Sequence, residues 1–215
     1  MISLDRTREA WKRASDFPGD KEAVYPEHKV AQEFEEHRGK RVLEYGCGGG
    51  SDARSYLARG CSVLAVDVVP ENVENTRLRS PGVDVLLLLE SDRIPEKSAT
   101  FDVASAHGVI HHIEKPLPVL KEIFRLLKPH GLFYCMLYTE HLQERLAANT
   151  RMLMAKHDLS ASEAFCWGTD GPGAPYARAY TEDEGKELFL SAGFQVTHEP
   201  YVYNHRDFRT WRVVA

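Results

Sequence analysis

Five short runs that are apolar almost throughout dominate the middle of the chain: Arg41 to Tyr45, Ser62 to Asp67, Val83 to Leu89, Phe101 to Ala106 and Leu132 to Leu137. A strand with one wet face alternates apolar and polar residues. These runs do not, so both of their faces must be covered. Helix-like segments separate them. Ser51 to Arg59 has Ser51 as a possible N-cap and Gly60 as a stop, and Pro70 to Leu78 has proline in its first turn. Pro116 to Leu127 is a third, followed by a sharp turn at Lys128-Pro129-His130-Gly131. Strand and helix in alternation predict an α/β fold, a doubly wound and mostly parallel sheet with helices on both faces.

After Tyr138 the pattern loosens. Glu140 to Lys156 reads as a helix, and Cys166 to Pro175, with its glycines and prolines, as a loop. Thr181 to Ala192 reads as a helix with a Thr181/Glu184 capping box and a stop at Gly193. Phe194 to Tyr203 and Trp211 to Val214 read as final strands. The segment Asn204 to Thr210 is too short for a helical crossover, so they should pair antiparallel. Residues 1–40 are polar and helix-prone, interrupted at Pro18-Gly19-Asp20, with a second helix from Pro26 to His37. They read as a lid preceding the core.

The segment Glu44-Tyr45-Gly46-Cys47-Gly48-Gly49-Gly50 stands where the first strand turns into the first helix. Glycines there let the backbone take positive φ and approach a ligand closely. A dinucleotide fingerprint would place glycine at its sixth position, where this chain has Ser51. Asp67 lies 21 positions after Gly46, at the end of the second strand, where a carboxylate can accept hydrogen bonds from a ribose diol. Glu44 narrows the choice. A carboxylate beside the loop repels a pyrophosphate and attracts a cation, so the ligand implied is a nucleoside with a cationic tail, S-adenosylmethionine.

With these residues the chain resembles the class I methyltransferases, in particular the type 11 group that includes the ubiquinone-biosynthesis methyltransferases. The resemblance covers roughly residues 41–138 and rests on V-L-E-Y-G-C-G-G-G, A-V-D, F-D-V-A, the segment Gly108-Val109-Ile110-His111-His112-Ile113, and L-L-K-P-H-G. It implies a Rossmann-like fold over residues 41–215, with a substrate-shaping insertion at about 141–180, and S-adenosylmethionine as cofactor. Gly46, Gly48 and Gly50 would flank the methionine part, with Glu44 near its charged groups. Asp67 would hold the ribose and Val68 would pack on adenine. Glu90 and Ser91, at a position where the family often has G-D-A, would meet the adenine edge. His107 and Gly108 would lie beside the sulfonium.

Methyl transfer from a sulfonium is an in-line displacement, in which the protein supplies position and electrostatics. An oxygen or nitrogen acceptor can need a base, for which histidine suits. His107 and His111 are the candidates, with Tyr25 and His28 in the lid as alternatives. The adjacent His111 and His112 point apart with no third ligand near them in sequence, so no metal site is expected. The loop from Trp167 to Tyr180 offers Tyr176 and Arg178 to a polar acceptor, a small molecule or a glycan; a surface ion pair for Arg178 is the competing reading. Ala106-His107-Gly108-Val109 occupies the place where base-amine methyltransferases carry N/D-P-P-Y/W. A cofactor-binding regulatory protein without turnover is the alternative function.

Composition sets the outer limits. At 43% apolar and 27% charged, the chain is an ordinary globular one rather than disordered or coiled-coil. With 27 Lys and Arg against 32 Asp and Glu, its net charge of −5 gives no pull toward nucleic acid. No apolar run approaches the ~20 residues of a membrane span, and the first residues do not read as a signal peptide. Cys47, Cys61, Cys135 and Cys166 form no C-x-x-C pair. A cytoplasmic protein with reduced thiols is expected.

Overall fold

The computed structural model describes residues 2–12, 21–197 and 201–215. Pro18-Gly19-Asp20 and the middle of the Phe194 to Tyr203 run lie outside the described residues. Before the sheet come α1 (Leu4–Trp11), α2 (Lys21–Val24), α3 (Pro26–Gln32) and a 3-10 turn at Phe34–His37. The expected helix from Pro26 to His37 is broken at Glu33, whose φ of 47° ends α3 in a left-handed cap.

The alternating region folds as β1 (Arg41–Tyr45), α4 (Ser51–Ala58), β2 (Ser62–Asp67), α5 (Pro70–Arg79), β3 (Asp84–Leu87) and β4 (Phe101–Ala106). A 3-10 turn at Ile110–His112, α6 (Leu117–Leu126) and β5 (Leu127–Thr139) follow. Then come α7 (Glu140–His157), α8 (Ala161–Asp170), β6 (Ala179–Tyr180), α9 (Glu182–Ala192), β7 (Tyr201–Asn204) and β8 (Phe208–Val214). The sheet order is β3-β2-β1-β4-β5-β8-β7, with β6 pairing on β5. Strands β1 to β6 are parallel, while β8 runs antiparallel to β5 and β7 antiparallel to β8. The chain leaves β1 for β2 on one side and later returns to β4 on the other. The C-terminal ends of β1, β2 and β4 therefore border a crevice, the usual ligand position of an open α/β sheet.

Alternate strand residues feed two cores. Val42, Val63, Val103 and Tyr134 pack with Phe34 and Tyr56 on one face. Leu43, Ala104, Phe133 and Val213 pack with Leu120, Ile123, Phe189 and Phe194 on the other. Burial of both faces explains why the strand sequences carry so few polar residues.

Three boundaries differ from the sequence reading. The turn expected at Lys128 to Gly131 falls within the span of β5, which starts at Leu127: Phe101 pairs with Leu127 and Val103 with Leu132, and His130 takes φ 65° in the extra residues between. Cys166 to Asp170 are helical, the end of α8, which a Ser160/Glu163 capping box starts. The hairpin closing the sheet turns earlier than expected, at 205–207, so β8 begins at Phe208. The four cysteines are buried and free. Among the described residues, no helix is long and apolar enough to cross a membrane.

Candidate active site

The loop between β1 and α4 is tightly bound before any ligand is considered. Gly46 and Cys47 donate their backbone N–H groups to the Val66 carbonyl at 2.8 and 3.1 Å. Gly46 sits at φ 79°, and a Cβ there would come within 2.4 Å of Val109 Cγ2. Gly50, at φ 76°, precedes α4 directly, and a Cβ on it would strike Thr76 at 2.8 Å. Gly50 is therefore required by the packing of α4 on α5. It does not line the cavity, whereas Gly46, Gly48 and Gly49 do.

Asp67 ends β2 and anchors the loop. Its Oδ2 accepts from Gly48 N–H at 2.9 Å and Asn72 Nδ2 at 3.1 Å, and its Oδ1 accepts from Val69 N–H at 2.9 Å. Burial pushes its carboxyl pKa up, against the pull of these donors. Asn72, in the first turn of α5, spends its amide on Asp67 and leaves Oδ1 buried without a partner. Both residues line a cavity of about 590 Å³ at the C-terminal edge of β1, β2 and β4.

Val68, Ser91, Asp92, His107 and His112 also line that cavity, and Ile2, Leu4, Thr7 and Trp11 of α1 cover it. Arg8 fastens α1 down, with Nε on the Val68 carbonyl at 2.8 Å and Nη2 on the Leu88 carbonyl at 3.2 Å. Glu90 departs from expectation: it lines a separate depression with Arg93, Glu122 and Arg125, and the acid turned to the main cavity is Asp92.

Glu44 is absent from the cavity lining. It is buried, and its Oε2 has no partner. Burial raises its pKa well above the usual range, and nearby Asp52 raises it further, while Lys21 opposes them. Without a cation the carboxyl is therefore driven toward its neutral form, and the anionic mouth inferred from sequence is latent. Asp52 is paired to His28 Nε2 at 2.8 Å, with Lys21 Nζ at 3.5 Å. His28 is thus buried at the start of α4 and is absent from the cavity lining.

His107 lines the cavity and is held by the lid. Tyr56 donates its hydroxyl to Gln32 Oε1 at 3.3 Å, and Gln32 Nε2 donates to His107 Nδ1 at 2.9 Å. Nδ1 is therefore the acceptor and Nε2 carries the proton. Burial, then His28 and Lys21, hold the His107 pKa well below the ordinary value, so the ring is neutral. In this arrangement it offers a hydrogen-bond donor rather than a free base.

His111 is corrected more sharply. It is fully buried, donates Nδ1–H to the Met136 carbonyl at 3.2 Å and stacks on Tyr138 at 3.8 Å. It does not reach the cavity; its neighbour His112 does. Tyr25 caps α3 half-exposed, away from the cavity. Tyr176 meets the site only through its carbonyl, which accepts from His112 Nδ1 at 2.9 Å. Arg178 pairs with Glu184 at 2.6 Å on the surface and lies over Tyr180, the competing reading of that residue. The residues that the sequence reading missed are Asn72, Asp92, Lys21 and the α1 face with Trp11. Only the spacing from Asp67 could have signalled Asn72.

Comparison with known proteins identifies the family and the fold. The family model for a methyltransferase domain matches residues 21–199. A ubiquinone biosynthesis O-methyltransferase of Xanthomonas oryzae pv. oryzae is 34% identical over 100 residues, 45% of this chain and 42% of that protein. One of Xanthomonas axonopodis pv. citri is 31% identical over 139 residues, 61% of this chain and 58% of that protein. The chain thus spans about half the length of the curated relatives it matches. Among solved structures, a SAM-dependent methyltransferase from Aquifex aeolicus aligns with TM-score 0.63 at 19% identity, covering 100% of this chain and 99% of that one. The 1,6-didemethyltoxoflavin-N1-methyltransferase of Burkholderia thailandensis, solved with S-adenosylhomocysteine, aligns with TM-score 0.61 at 21% identity, covering 100% and 91%. These structural likenesses establish the Rossmann-like fold, and the family match establishes that the chain belongs to the methyltransferase domain family.

Proposed function

We propose that the protein transfers a methyl group from S-adenosylmethionine to a small-molecule or glycan acceptor. The observation that carries this reading is the pairing of Asp67 with Asn72 at the cavity edge. Asp67 Oδ2 is filled by two protein donors, but Oδ1 takes one and an oxygen can take two. Asn72, whose Oδ1 is buried without a partner, lines the same cavity. A carboxylate and an amide side by side at the end of β2 fit the hydroxyls of a ribose diol.

The remaining wall fits the rest of the cofactor. Val68 offers an apolar face to adenine, with Ser91 and Asp92 in place of the Glu90 position. Gly46, Gly48 and Gly49 leave room for the amino-acid tail. A volume of about 590 Å³ lies within the ~300–1,000 Å³ range of small-molecule sites. When bound, S-adenosylmethionine supplies the activated methyl. The chain's own work is placement: His107 Nε2–H orients an acceptor oxygen, and residues 1–40 act as a lid whose α1 excludes water. The names of the relatives, one an O-methyltransferase of ubiquinone biosynthesis and one a methyltransferase solved with 1,6-didemethyltoxoflavin bound, support a small-molecule acceptor, which would enter between α1 and the segment at about 141–180.

Two titrations by calorimetry test this: S-adenosylmethionine should bind and NAD should not. Incubation with isotopically methyl-labelled S-adenosylmethionine and fractionated metabolites should then label one fraction. Tight NAD binding without S-adenosylmethionine binding would overturn the cofactor, and binding without any labelled fraction would favour a regulatory protein.

A further inference from the structure

His112 meets side chains far from it in sequence. Cys166 and Asp170, one turn apart near the end of α8, face it, and one donor atom from each of the three residues lies within 4.8 Å of the other two. The Nδ1 of His112 rests on the Tyr176 carbonyl at 2.9 Å. A carbonyl only accepts, so Nδ1 carries the proton and Nε2 keeps the lone pair. That nitrogen lies 3.8 Å from Asp170 Oδ1. Cys166 Sγ lies 3.8 Å from Asp170 Oδ2; its 3.7 Å approach to the imidazole is at Nδ1, the nitrogen already on the Tyr176 carbonyl. An N···O separation of this size is too long for a hydrogen bond. The two separations to the Asp170 carboxylate approach the edge of a tetrahedron around one cation: with zinc 2.3 Å from sulfur and 2.0–2.2 Å from nitrogen or oxygen, adjacent ligands stand about 3.5 Å apart.

We propose that His112 Nε2, Cys166 Sγ and a carboxylate oxygen of Asp170 bind one zinc ion, leaving a fourth position open beside the cavity that His112 lines. The donor set selects the metal. Imidazole and thiolate with one carboxylate suit zinc, whereas magnesium and calcium require oxygen ligands throughout. The outer contacts are already those of a metal site. The second imidazole N–H sits on a backbone carbonyl, and Tyr138 donates its hydroxyl to Asp170 Oδ1 at 3.1 Å. Trp11 and His111 pack on the ring at 4.5 and 4.2 Å between centroids and fix its plane. Asp170 ends α8 at an exposed position, so it can swing the last fraction of an ångström inward.

Binding changes no oxidation state. Cys166 releases its thiol proton to solvent, and thiolate and carboxylate together balance the two charges of the ion. Burial and the neighbouring Asp170 hold the free thiol protonated, so zinc affinity rises with pH. The site does not depend on the methyl-transfer reading. It would pin α8 to the 3-10 turn that walls the cavity.

The test uses the full chain, stripped with a chelator, dialysed and titrated with zinc alone against a chromogenic competitor. One equivalent is expected, and cobalt(II) in its place should show thiolate-to-metal charge-transfer absorption. Asp170→Asn, at an exposed position, should weaken binding by more than the ~10–100-fold typical of outer-contact losses. Cys166→Ser should abolish the charge-transfer band. Cys61→Ser, whose thiol bonds to the His37 carbonyl elsewhere, should retain it. Zinc uptake no greater than that of the Cys166→Ser/Asp170→Asn double variant, or a band that survives Cys166→Ser, would overturn the proposal. S-adenosylhomocysteine binding, measured on the same samples, reports separately on the methyl-transfer reading.

Discussion

Replacing Asp67 with alanine tests the ribose assignment and carries a magnitude that the hydrogen bonds set. A carboxylate has about four lone-pair positions. Three are used by Gly48, Val69 and Asn72, and the Val68 N–H also faces the carboxylate, so at most one charge-assisted bond remains for the ligand. Such a bond contributes about 1.5–3 kcal/mol, or roughly 10–150-fold in the dissociation constant. Asn72→Ala removes a neutral acceptor and should cost about 0.5–1.5 kcal/mol, roughly 2–12-fold. The two side chains share a hydrogen bond, so the double variant should lose less than the sum. Asp67→Ala also strands two backbone N–H groups, which lowers stability; Asp67→Asn keeps the volume and an oxygen for Val69 and serves as the better-folded comparison. Calorimetry with S-adenosylhomocysteine, on variants whose circular dichroism matches the parent, gives the constants. A dissociation constant unchanged within twofold for both Asp67 variants would refute the reasoning.

Other perturbations follow from single contacts. Gly46→Ala places a Cβ 2.4 Å from Val109 Cγ2 at a φ of 79°, so urea unfolding should show about 2–4 kcal/mol of destabilisation from overpacking and left-handed strain. The Val109→Ala second change should recover the packing part alone. His37 is buried with neither ring nitrogen partnered, and burial lowers its pKa to about 4. The unfolded chain therefore takes up a proton that the folded one refuses, and this share of stability, in place above pH ~6.5, is lost as pH falls toward 4. His37→Leu should flatten that loss, by of order 3 kcal/mol at most; denaturation at pH 7 and pH 4.5 compares the slopes. Arg178→Ala removes an exposed pair with Glu184 and should change stability by less than about 1 kcal/mol, with cofactor affinity intact.

The architecture was legible because both sheet faces are buried. Val42 and Leu43, on opposite faces, are equally apolar, and that signal survives without any alignment. The loop positions of Gly46, Gly48 and Asp67 were legible for a related reason: a strand end, a positive-φ turn and an acid at a fixed offset are local facts. What stayed hidden was long-range or directional. His111 and His112 are equivalent as letters, and only the 3-10 turn decides which one sees the cavity. Glu44 reads as a charged acid beside the ligand, but it is buried and absent from the cavity lining. The Asn72 side chain gains meaning only when α5 lays it against Asp67. The end of α8 was read as loop because glycine, threonine and aspartate near residue 170 outweighed a capping box ten residues upstream. Pro129 and Gly131 marked the irregularity in β5, and only the pairing of Phe101 with Leu127 shows that the strand begins before it.

The most direct measurement is a crystal structure of the full chain with S-adenosylhomocysteine. The account predicts the nucleoside over the C-terminal ends of β1 and β2, one ribose hydroxyl on Asp67 Oδ1, the other on Asn72 Oδ1, and adenine against Val68. A nucleoside bound away from these two side chains, or a cavity left empty at saturating ligand, would contradict it.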